Sequence, residues 1–244
     1  MPSRPSSLRG AALTAALLTA LTGCNKNSTA PAVPPGGGGT GSGSSAFVGV
    51  LIGPGVEGRL VLTIPTTTLR PQAIATTAAL LQVNGSYTPV GGNPIALTGV
   101  YDPAADTLNI SGSAYTVQGT YASGLLRGVW SRPLTGSGSI VMVLATSSTS
   151  ARPLAGSFTS TTGPVSGILA FVCQGTDLDG FAYTTGGGET PLHGTLASGG
   201  SITMIDPRGP GPFLGTGSLD AYGAASGQYE NGSNDKGTWT AQPL

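Results

Sequence analysis

Two neighbouring stretches, Thr107-Leu108-Asn109-Ile110-Ser111 and Tyr115-Thr116-Val117-Gln118, alternate polar and apolar side chains. A period of two places successive side chains on opposite faces of a β-strand. The stretch Gly58-Arg59-Leu60-Val61-Leu62-Thr63-Ile64 is a similar run that ends at Pro65. From Ala46 onward, short apolar runs recur at intervals of about eight to twelve residues, a spacing typical of all-β proteins.

The short turns between these runs determine how the predicted strands pair. Strands joined by tight turns pair with their neighbours in the chain, which gives an antiparallel up-and-down meander. A meander of about a dozen strands would expose long edges that favour aggregation. We therefore predict an all-β fold in which the meander closes into a barrel or forms two packed sheets. A glycine in most predicted strands fits strong curvature or close backbone approach.

The stretch between residues 70 and 85 gives two further local predictions. Asn84-Gly85 follows the apolar run Leu80-Leu81-Gln82-Val83, and this dipeptide is the strongest short hairpin signal in the chain. Residues 70–83 are the only segment whose composition permits a short helix, and a strand is equally compatible with it. Helix is therefore expected to contribute little to the fold.

An aromatic motif occurs twice in the strand-rich region. Arg127-Gly128-Val129-Trp130 follows Tyr121, and Lys236-Gly237-Thr238-Trp239 follows Tyr229. The Tyr-to-Trp spacing is nine residues in the first copy and ten in the second. One additional residue in a hairpin turn accounts for this difference.

Other elements recur in the same order along the chain. The matched elements are Gly49 with Gly156, Gly58 with Gly167, and Leu97-Thr98-Gly99 with Leu192-His193-Gly194. Repetition of this kind indicates that one structural unit was duplicated. We therefore predict a single β-rich domain, residues 46–244, built from two related halves, residues 46–145 and 146–244.

The first 23 residues have the pattern of an export signal. Arg4 and Arg9 lie within the first ten residues, and residues 11–23 form an uncharged, largely apolar run of 13 residues. A helix that crosses the hydrocarbon core of a membrane needs about 20 such residues. The run therefore predicts a signal peptide, residues 1–23, and not a membrane-spanning helix.

The stretch Leu21-Thr22-Gly23-Cys24 resembles the lipobox of bacterial lipoproteins. The resemblance implies that a signal peptidase recognises Leu21, Thr22 and Gly23, that the Cys24 thiol receives diacylglycerol, and that cleavage leaves Cys24 as the acylated first residue. Anchoring by two or more acyl chains, such as palmitate, is stable where one chain is not. Within this family, Asn25 in place of Asp favours the outer membrane of a diderm bacterium. In other bacteria the expected location is the outer face of the plasma membrane.

The remaining composition is that of a folded, weakly charged protein on a tether. Residues 24–45 are rich in Gly, Pro and Ser, which predicts a lipidated cysteine followed by a flexible tether. Charged residues make up 8% of the chain, and without Arg4 and Arg9 it has 8 basic and 10 acidic residues. Because the basic residues are not clustered, nucleic acid is not expected as a partner.

Few residues have the type and spacing that catalysis or metal binding requires. If Cys24 is acylated, Cys173 is the remaining cysteine, and its apolar neighbours predict a small buried side chain. His193 is the sole histidine, and the chain has no Gly-x-Ser-x-Gly motif to supply a nucleophile. We interpret His193 as a surface residue of a strand. One histidine and one cysteine are too few for an ordinary zinc site, so no cofactor is predicted.

Asp177-Leu178-Asp179-Gly180 is a weak candidate for a calcium site. Two carboxylates two residues apart, Asp177 and Asp179, can converge on a hard cation before a glycine turn. The stretch departs from the EF-hand pattern, because Gly180 comes two positions too early. An acidic hairpin turn is therefore the preferred interpretation.

The sequence favours a non-catalytic structural or binding module of the cell envelope. Expected partners are the membrane, through the acyl chains on Cys24, and an envelope protein, a glycan or a small apolar ligand. One alternative is a lipocalin-like carrier that holds a small apolar ligand inside the barrel, and another is an enzyme that acts on envelope polymers with paired carboxylates. Four aromatic residues are candidates either for ligand contact or for the core: Tyr121, Trp130, Tyr229 and Trp239.

Overall fold

The computed structural model describes residues 44–65, 79–134, 136–145, 150–186, 188–208 and 214–244. These residues form sixteen β-strands, which confirms the predicted all-β fold. Within this part of the chain, no helix is long and apolar enough to cross a membrane. The predicted signal peptide, Cys24, nearly all of the tether and most of the 70–83 segment lie outside the described residues.

The first eight strands form one closed antiparallel barrel. Each strand pairs with the next in the chain, and β8 pairs with β1 to complete the ring. In chain order the strands are β1 (Ser44–Gly53), β2 (Val56–Pro65), β3 (Leu81–Pro89), β4 (Ile95–Asp102), β5 (Thr107–Gly112), β6 (Tyr115–Ala122), β7 (Leu125–Arg132) and β8 (Gly136–Ala145). The predicted meander therefore closes within the first half of the chain.

The second eight strands form a second closed antiparallel barrel. Here β16 pairs with β9, and the other pairs are again neighbours in the chain. The strands are β9 (Ala151–Ser160), β10 (Ser166–Gln174), β11 (Asp177–Thr184), β12 (Glu189–Leu196), β13 (Ser201–Ile205), β14 (Leu214–Leu219), β15 (Ala225–Glu230) and β16 (Lys236–Pro243). The two halves thus have the same architecture, as the sequence predicted.

Alternating side chains of each strand fill the barrel interiors. The first barrel encloses Phe47, Leu51, Leu60, Leu62, Ile64, Val83, Tyr87, Leu97, Tyr101, Leu108, Ile110, Tyr115, Val117, Leu126, Trp130, Ile140 and Met142. The second encloses Leu154, Phe158, Leu169, Phe171, Cys173, Leu178, Ala182, Leu192, Leu196, Ile202, Met204, Ala225, Tyr229, Trp239 and Ala241. Eight strands leave an interior about wide enough to be filled by side chains. Cys173 is buried there, as predicted.

Glycines lie where neighbouring strands approach each other most closely. A Cβ atom on Gly128 would overlap the carbonyl oxygen of Gln118 on β6, and one on Gly227 would overlap that of Thr216 on β14. Fourteen of the sixteen strands contain a glycine of this kind, so the feature belongs to the barrels and not to one local bend. The predicted link between strand glycines and close backbone approach is therefore confirmed.

The predicted hairpin turn at Asn84-Gly85 is wrong. Both residues lie in the middle of β3, where Asn84 pairs with Thr63 on one side and with Thr98 on the other. Gly85 is another close-approach position, because a Cβ there would overlap the carbonyl oxygen of Val61. The glycine thus serves contact between strands, and the β3–β4 connection is made by the residues between Pro89 and Ile95.

Some of the repeated sequence elements lie on corresponding strands of the two barrels, whereas the aromatic motif does not. Gly49 and Gly58 lie on the first two strands of their barrel, as do Gly156 and Gly167 in the second. Leu97-Thr98-Gly99 and Leu192-His193-Gly194 both lie on a fourth strand. In contrast, Trp130 lies on the seventh strand of its barrel and Trp239 on the eighth. The shared architecture is therefore clear, and residue-by-residue duplication stays a prediction.

The barrels contact each other through an apolar seam. The outward faces of β1 and β8 pack against those of β9, β10 and β11, and the buried residues of this seam are Val50, Ile52, Val141, Val143, Ala155, Ala170, Val172 and Tyr183. Both faces of these strands are mostly apolar where the barrels meet, because one face fills a barrel and the other covers the second barrel. The seam therefore adds a third hydrophobic cluster to the two barrel cores.

The path of the chain gives the first barrel two distinct ends. The chain enters β1 at Ser44, and the β1–β2, β3–β4, β5–β6 and β7–β8 turns all lie at the opposite end. We call the end that carries these four turns the distal end. It is the end farther from the point where residues 1–43 join the barrel.

Replacement of Gly227 by alanine is expected to destabilise the second barrel. The new Cβ would overlap the Thr216 carbonyl oxygen and lie 2.6 Å from the Cα of Gly217. Both obstacles are backbone atoms, so relief requires strand movement, and we expect a loss of about 1–3 kcal/mol in the free energy of unfolding. Urea denaturation followed by tryptophan fluorescence measures this loss.

Gly199→Ala is the matched control for this substitution. A Cβ on Gly199 would meet nothing within 4 Å. The control variant should therefore unfold at the same urea concentration as the original protein. Equal stability of the Gly227→Ala and Gly199→Ala proteins would show that close approach at Gly227 does not limit the fold.

Candidate functional site

The four candidate aromatic residues lie in the barrel cores. Trp130, Trp239 and Tyr229 are 0%, 1% and 5% exposed, and Tyr121 is half-buried against the first core. Trp130 Nε1 donates a hydrogen bond of 2.8 Å to the Ile52 carbonyl oxygen. Trp239 Nε1 donates one of 3.1 Å to the Gln228 carbonyl oxygen.

Ring contacts between aromatic residues hold both cores together. Phe47 and Tyr121 meet edge to face with centroids 5.4 Å apart in the first barrel, and Phe158 and Tyr229 do so at 5.6 Å in the second. Such pairs contribute beyond their buried area. The arrangement supports the interpretation of these aromatic residues as core residues. A binding site is therefore expected on the outer surface.

Asp179 is a buried carboxylate shared between the two barrels. It lies on β11 and is 4% exposed. Arg127 Nη2, from β7 of the first barrel, donates a hydrogen bond to its Oδ1 atom, and His193 Nδ1 lies 3.2 Å from the same oxygen. Both partner side chains are about half exposed, at 47% and 48%. The cluster is therefore an ion pair across the seam, and His193 lies at the surface of a strand, as predicted.

The two aspartates of the weak calcium candidate have different surroundings. Asp177 is exposed at the start of β11, whereas Asp179 is buried and engaged by Arg127. The two lie within a strand and not in an acidic hairpin turn, so that interpretation is wrong. Among the described residues, no group of three or more His, Cys, Asp or Glu side chains is placed to hold a metal ion.

A second polar cluster crosses the seam between β8 of the first barrel and β11 and β12 of the second. Ser139 of β8 donates a hydrogen bond of 2.7 Å to Glu189 Oε2, and the Tyr183 hydroxyl donates to the same oxygen. The Tyr183 hydroxyl also lies 3.2 Å from Ser139 Oγ. Burial, together with the hydrogen bond to Glu189, raises the pKa of Tyr183 to about 12. The phenol therefore stays a neutral donor, and the cluster fixes β8 against β11 and β12.

Arg208 connects the end of β13 to this cluster. It binds Asp206 through two nitrogens, with Nη2 2.7 Å from Oδ2 and Nε 3.0 Å from Oδ1. Its Nη2 atom also donates to the carbonyl oxygen of Glu189 at 3.3 Å. Asp206 is 3% exposed, and hydrogen bonds from Arg208 hold the pKa of the carboxyl below its usual range. This ion pair positions the backbone from which the Glu189 side chain extends.

Two charged side chains of β2 have buried atoms without hydrogen bonds. Glu57 Oε2 and Arg59 Nε have no hydrogen-bond partner in the described part of the chain. Burial raises the pKa of Glu57 and lowers the pKa of Arg59. Both shifts disfavour the charged forms, so these residues reduce the stability of the fold at neutral pH.

A groove of about 630 Å³ lies at the distal end of the first barrel. Residues of the β5–β6 hairpin and of the β7 end line it: Ser111, Gly112, Ser113, Ala114, Tyr115, Thr116, Ser131, Arg132 and Pro133. The guanidinium carbon of Arg132 lies 5.2 Å from the ring centre of Tyr115. Arg132 Nη1 lies 3.5 Å from the Tyr115 hydroxyl. Five of the nine lining residues carry a hydroxyl group, and Arg132 gives the groove one positive charge.

Aromatic packing below the groove supports Tyr115. This residue is 5% exposed and its ring centre lies 5.1 Å from that of Tyr87 and 5.8 Å from that of Trp130. A tyrosine held in this way restricts the arginine that stacks on it. The sequence does not predict this site, because Arg132 and the hydroxyl residues share no sequence motif.

Replacement of Asp206 by asparagine is expected to reduce the stability of the fold at neutral pH and to reduce it less in acid. Folding lowers the pKa of Asp206. The ionised carboxylate therefore stabilises the fold fully above the ordinary aspartate pKa of about 3.9, and this stabilisation is lost as the pH falls through the pKa of Asp206 in the folded protein. We expect a loss of about 1–3 kcal/mol at pH 7, the range for hydrogen bonds to charged groups. Urea unfolding at pH 7 and at pH 3 measures the effect.

Asp177→Asn is the control for the Asp206 substitution, because Asp177 is an exposed side chain of the same barrel. Its unfolding free energy should match that of the original protein at both pH values. An Asp206→Asn loss of the same size at pH 3 and pH 7 would contradict the role given to the Asp206–Arg208 ion pair.

Comparison of the chain with protein-family models, with curated proteins and with solved structures finds no match. The sequence of the first 45 residues and the geometry of the two barrels therefore provide the basis for a functional assignment.

Proposed function

We propose that this protein is a lipid-anchored component of the bacterial cell envelope that acts as a non-catalytic structural or binding module. The lipobox-like stretch Leu21-Thr22-Gly23-Cys24 supports the anchor. Acyl chains on Cys24 hold the protein in the membrane, and residues 25–43 connect the anchor to the first barrel. Asn25 favours the outer membrane if the bacterium is diderm.

Filled barrel interiors are the observation that carries the binding-module proposal. Among the largest interior side chains, Trp130, Phe47 and Phe171 are 0% exposed. Interiors packed in this way favour recognition on the outer surface over a ligand held inside. An envelope protein or a glycan is therefore a better partner for this geometry than a small apolar ligand enclosed as in lipocalins.

The position of the groove agrees with an anchored binding module. The chain joins the first barrel at Ser44, and the groove lies at the distal end. An anchor attached through residues 25–43 would leave the distal end accessible to other molecules of the envelope. The seam joins the two barrels through an apolar cluster and two polar clusters.

Replacement of Cys24 by alanine tests the anchor directly. Cells that express the full chain and are supplied with labelled palmitate should label the original protein, which should sediment with membranes. The Cys24→Ala protein should lose all label and leave the membrane fraction, since Cys24 is the proposed acylation site.

Cys173→Ala provides the matched control, because Cys173 is buried inside the second barrel. This variant should retain the label and the membrane location. Label and membrane association that persist in the Cys24→Ala protein would refute the lipoprotein assignment.

A further inference from the structure

We propose that the groove at the distal end of the first barrel binds an acidic saccharide, with Arg132 holding a sugar carboxylate and the surrounding hydroxyl groups binding the sugar ring. This inference rests on the proposed envelope function, because it names the class of ligand that the exposed end of the module recognises. It is carried by three observations: the unpaired charge of Arg132, a row of exposed hydroxyl groups and the shape of the groove.

Of the six basic residues in the described part of the chain, Arg59, Arg132 and Arg152 form no ion pair, and Arg132 is the one of these three with an exposed side chain. Arg127, Arg208 and Lys236 each lie within 4.0 Å of a carboxylate oxygen, at Asp179, Asp206 and Glu230. No carboxylate of the described residues lies at that distance from Arg132. Its side chain is exposed, and its one polar contact in the described part of the chain joins Nη1 to the Tyr115 hydroxyl, so other guanidinium N–H groups are left for a second acceptor. A planar carboxylate is the acceptor that a guanidinium binds best through two hydrogen bonds.

A row of hydroxyl groups crosses the outer surface of the barrel, and three of its members line the groove: Ser111, Thr116 and Ser131. Thr98, Ser111, Thr116, Ser131 and Ser137 occupy directly paired positions on five successive strands, β4 to β8. All five are exposed. Neighbouring strands lie about 4.8 Å apart, so the row presents hydroxyl groups at regular intervals. Each hydroxyl group is both a donor and an acceptor, which matches the hydroxyl groups of a sugar.

The groove offers both polar and apolar surface to a ligand. Its volume of about 630 Å³ lies in the range of sites for drug-sized ligands, about 300–1,000 Å³, which fits a short oligosaccharide. The Tyr115 ring is 5% exposed, and Ala114 and Pro133 add exposed apolar surface beside the hydroxyl groups. A sugar acid combines hydroxyl groups with apolar C–H faces, so it matches this mixed lining.

Arg132 also lies apart from the residues that hold the barrels together. Its described contact is with Tyr115 at the barrel end, whereas the seam is built on β1, β8, β9, β10 and β11. Substitution of Arg132 is therefore expected to change binding without opening the seam. Because of this separation, a substitution of Arg132 tests the groove without disturbing the seam.

Isothermal titration calorimetry of the full chain in detergent tests the proposal. The probes are a trisaccharide of galacturonic acid, the neutral trisaccharide of galactose, and acetate as a bare carboxylate. We expect the acidic trisaccharide to bind the original protein, and both the neutral trisaccharide and acetate to bind at least about tenfold more weakly, because each lacks one set of hydrogen bonds. Equal binding of all three probes, or no binding of the acidic trisaccharide, would overturn the proposal.

Arg132→Gln should weaken binding of the acidic trisaccharide by about tenfold or more, and Arg132→Lys should weaken it less because the charge is kept. Arg152→Gln is the control, since Arg152 lies on β9 of the second barrel, away from the groove. Thermal unfolding of each variant verifies that it is folded. Unchanged binding by folded Arg132→Gln would refute the role of Arg132.

The membrane assay at Cys24 distinguishes failure of the ligand proposal from failure of the lipid-anchor proposal. If the protein is lipidated and membrane-bound but the acidic trisaccharide does not bind, the ligand proposal fails and the envelope assignment stands. If the acidic trisaccharide binds while Cys24 carries no lipid, the groove assignment stands and the anchor fails.

Discussion

Close contact between the backbones of neighbouring strands is the constraint on which both barrels depend. At Gly128 and Gly227 the space that a Cβ would need is occupied by a carbonyl oxygen of the next strand. An eight-stranded barrel needs strands that tilt and curve strongly, and a missing side chain permits both. Because nearly every strand contains such a glycine, the high glycine content of the chain is a requirement of the closed fold and not a sign of disorder.

Closure of the barrels determines where the remaining side chains can act. Once the strands are tightly curved, large inward residues such as Trp130 and Trp239 fill the interiors, so the inner faces are used for stability. The outward faces then divide into two kinds. Those of β1, β8, β9, β10 and β11 form the apolar seam, and the outward residues of the remaining strands are largely exposed.

Polar groups in the seam complement its apolar contact. Asp179 is buried, and it is stabilised because Arg127 reaches it from the other barrel. Glu189 is likewise held by Ser139 of the first barrel and by Tyr183 of the second. A buried carboxylate without such partners would be costly, so these pairs favour one relative arrangement of the two barrels. Charged residues are few in this chain, and Arg132 at the distal end is an exposed one that forms no ion pair with a carboxylate of the described residues.

The sequence determines by itself the type of the secondary structure and its pairing order. Alternation in residues 107–111 and 115–118 predicts strands, and short turns predict a meander that closes, because both depend on residues near one another in the chain. Burial of Cys173 follows in the same way from its apolar neighbours. The lipobox-like stretch at residues 21–24 is also a local signal, and the anchor inferred from it stays a prediction.

Tertiary structure alone decides the number of barrels, the strand position of Asn84-Gly85 and the residues that meet at the seam. A continuous apolar run such as Phe47–Ile52 indicates that both faces of a strand are buried, but it does not identify the strands that cover those faces. Arg127 and Asp179 are 52 residues apart, and no periodicity connects them. Local sequence fixes which face of a strand is apolar, whereas contacts between distant strands arise only when two closed barrels pack together.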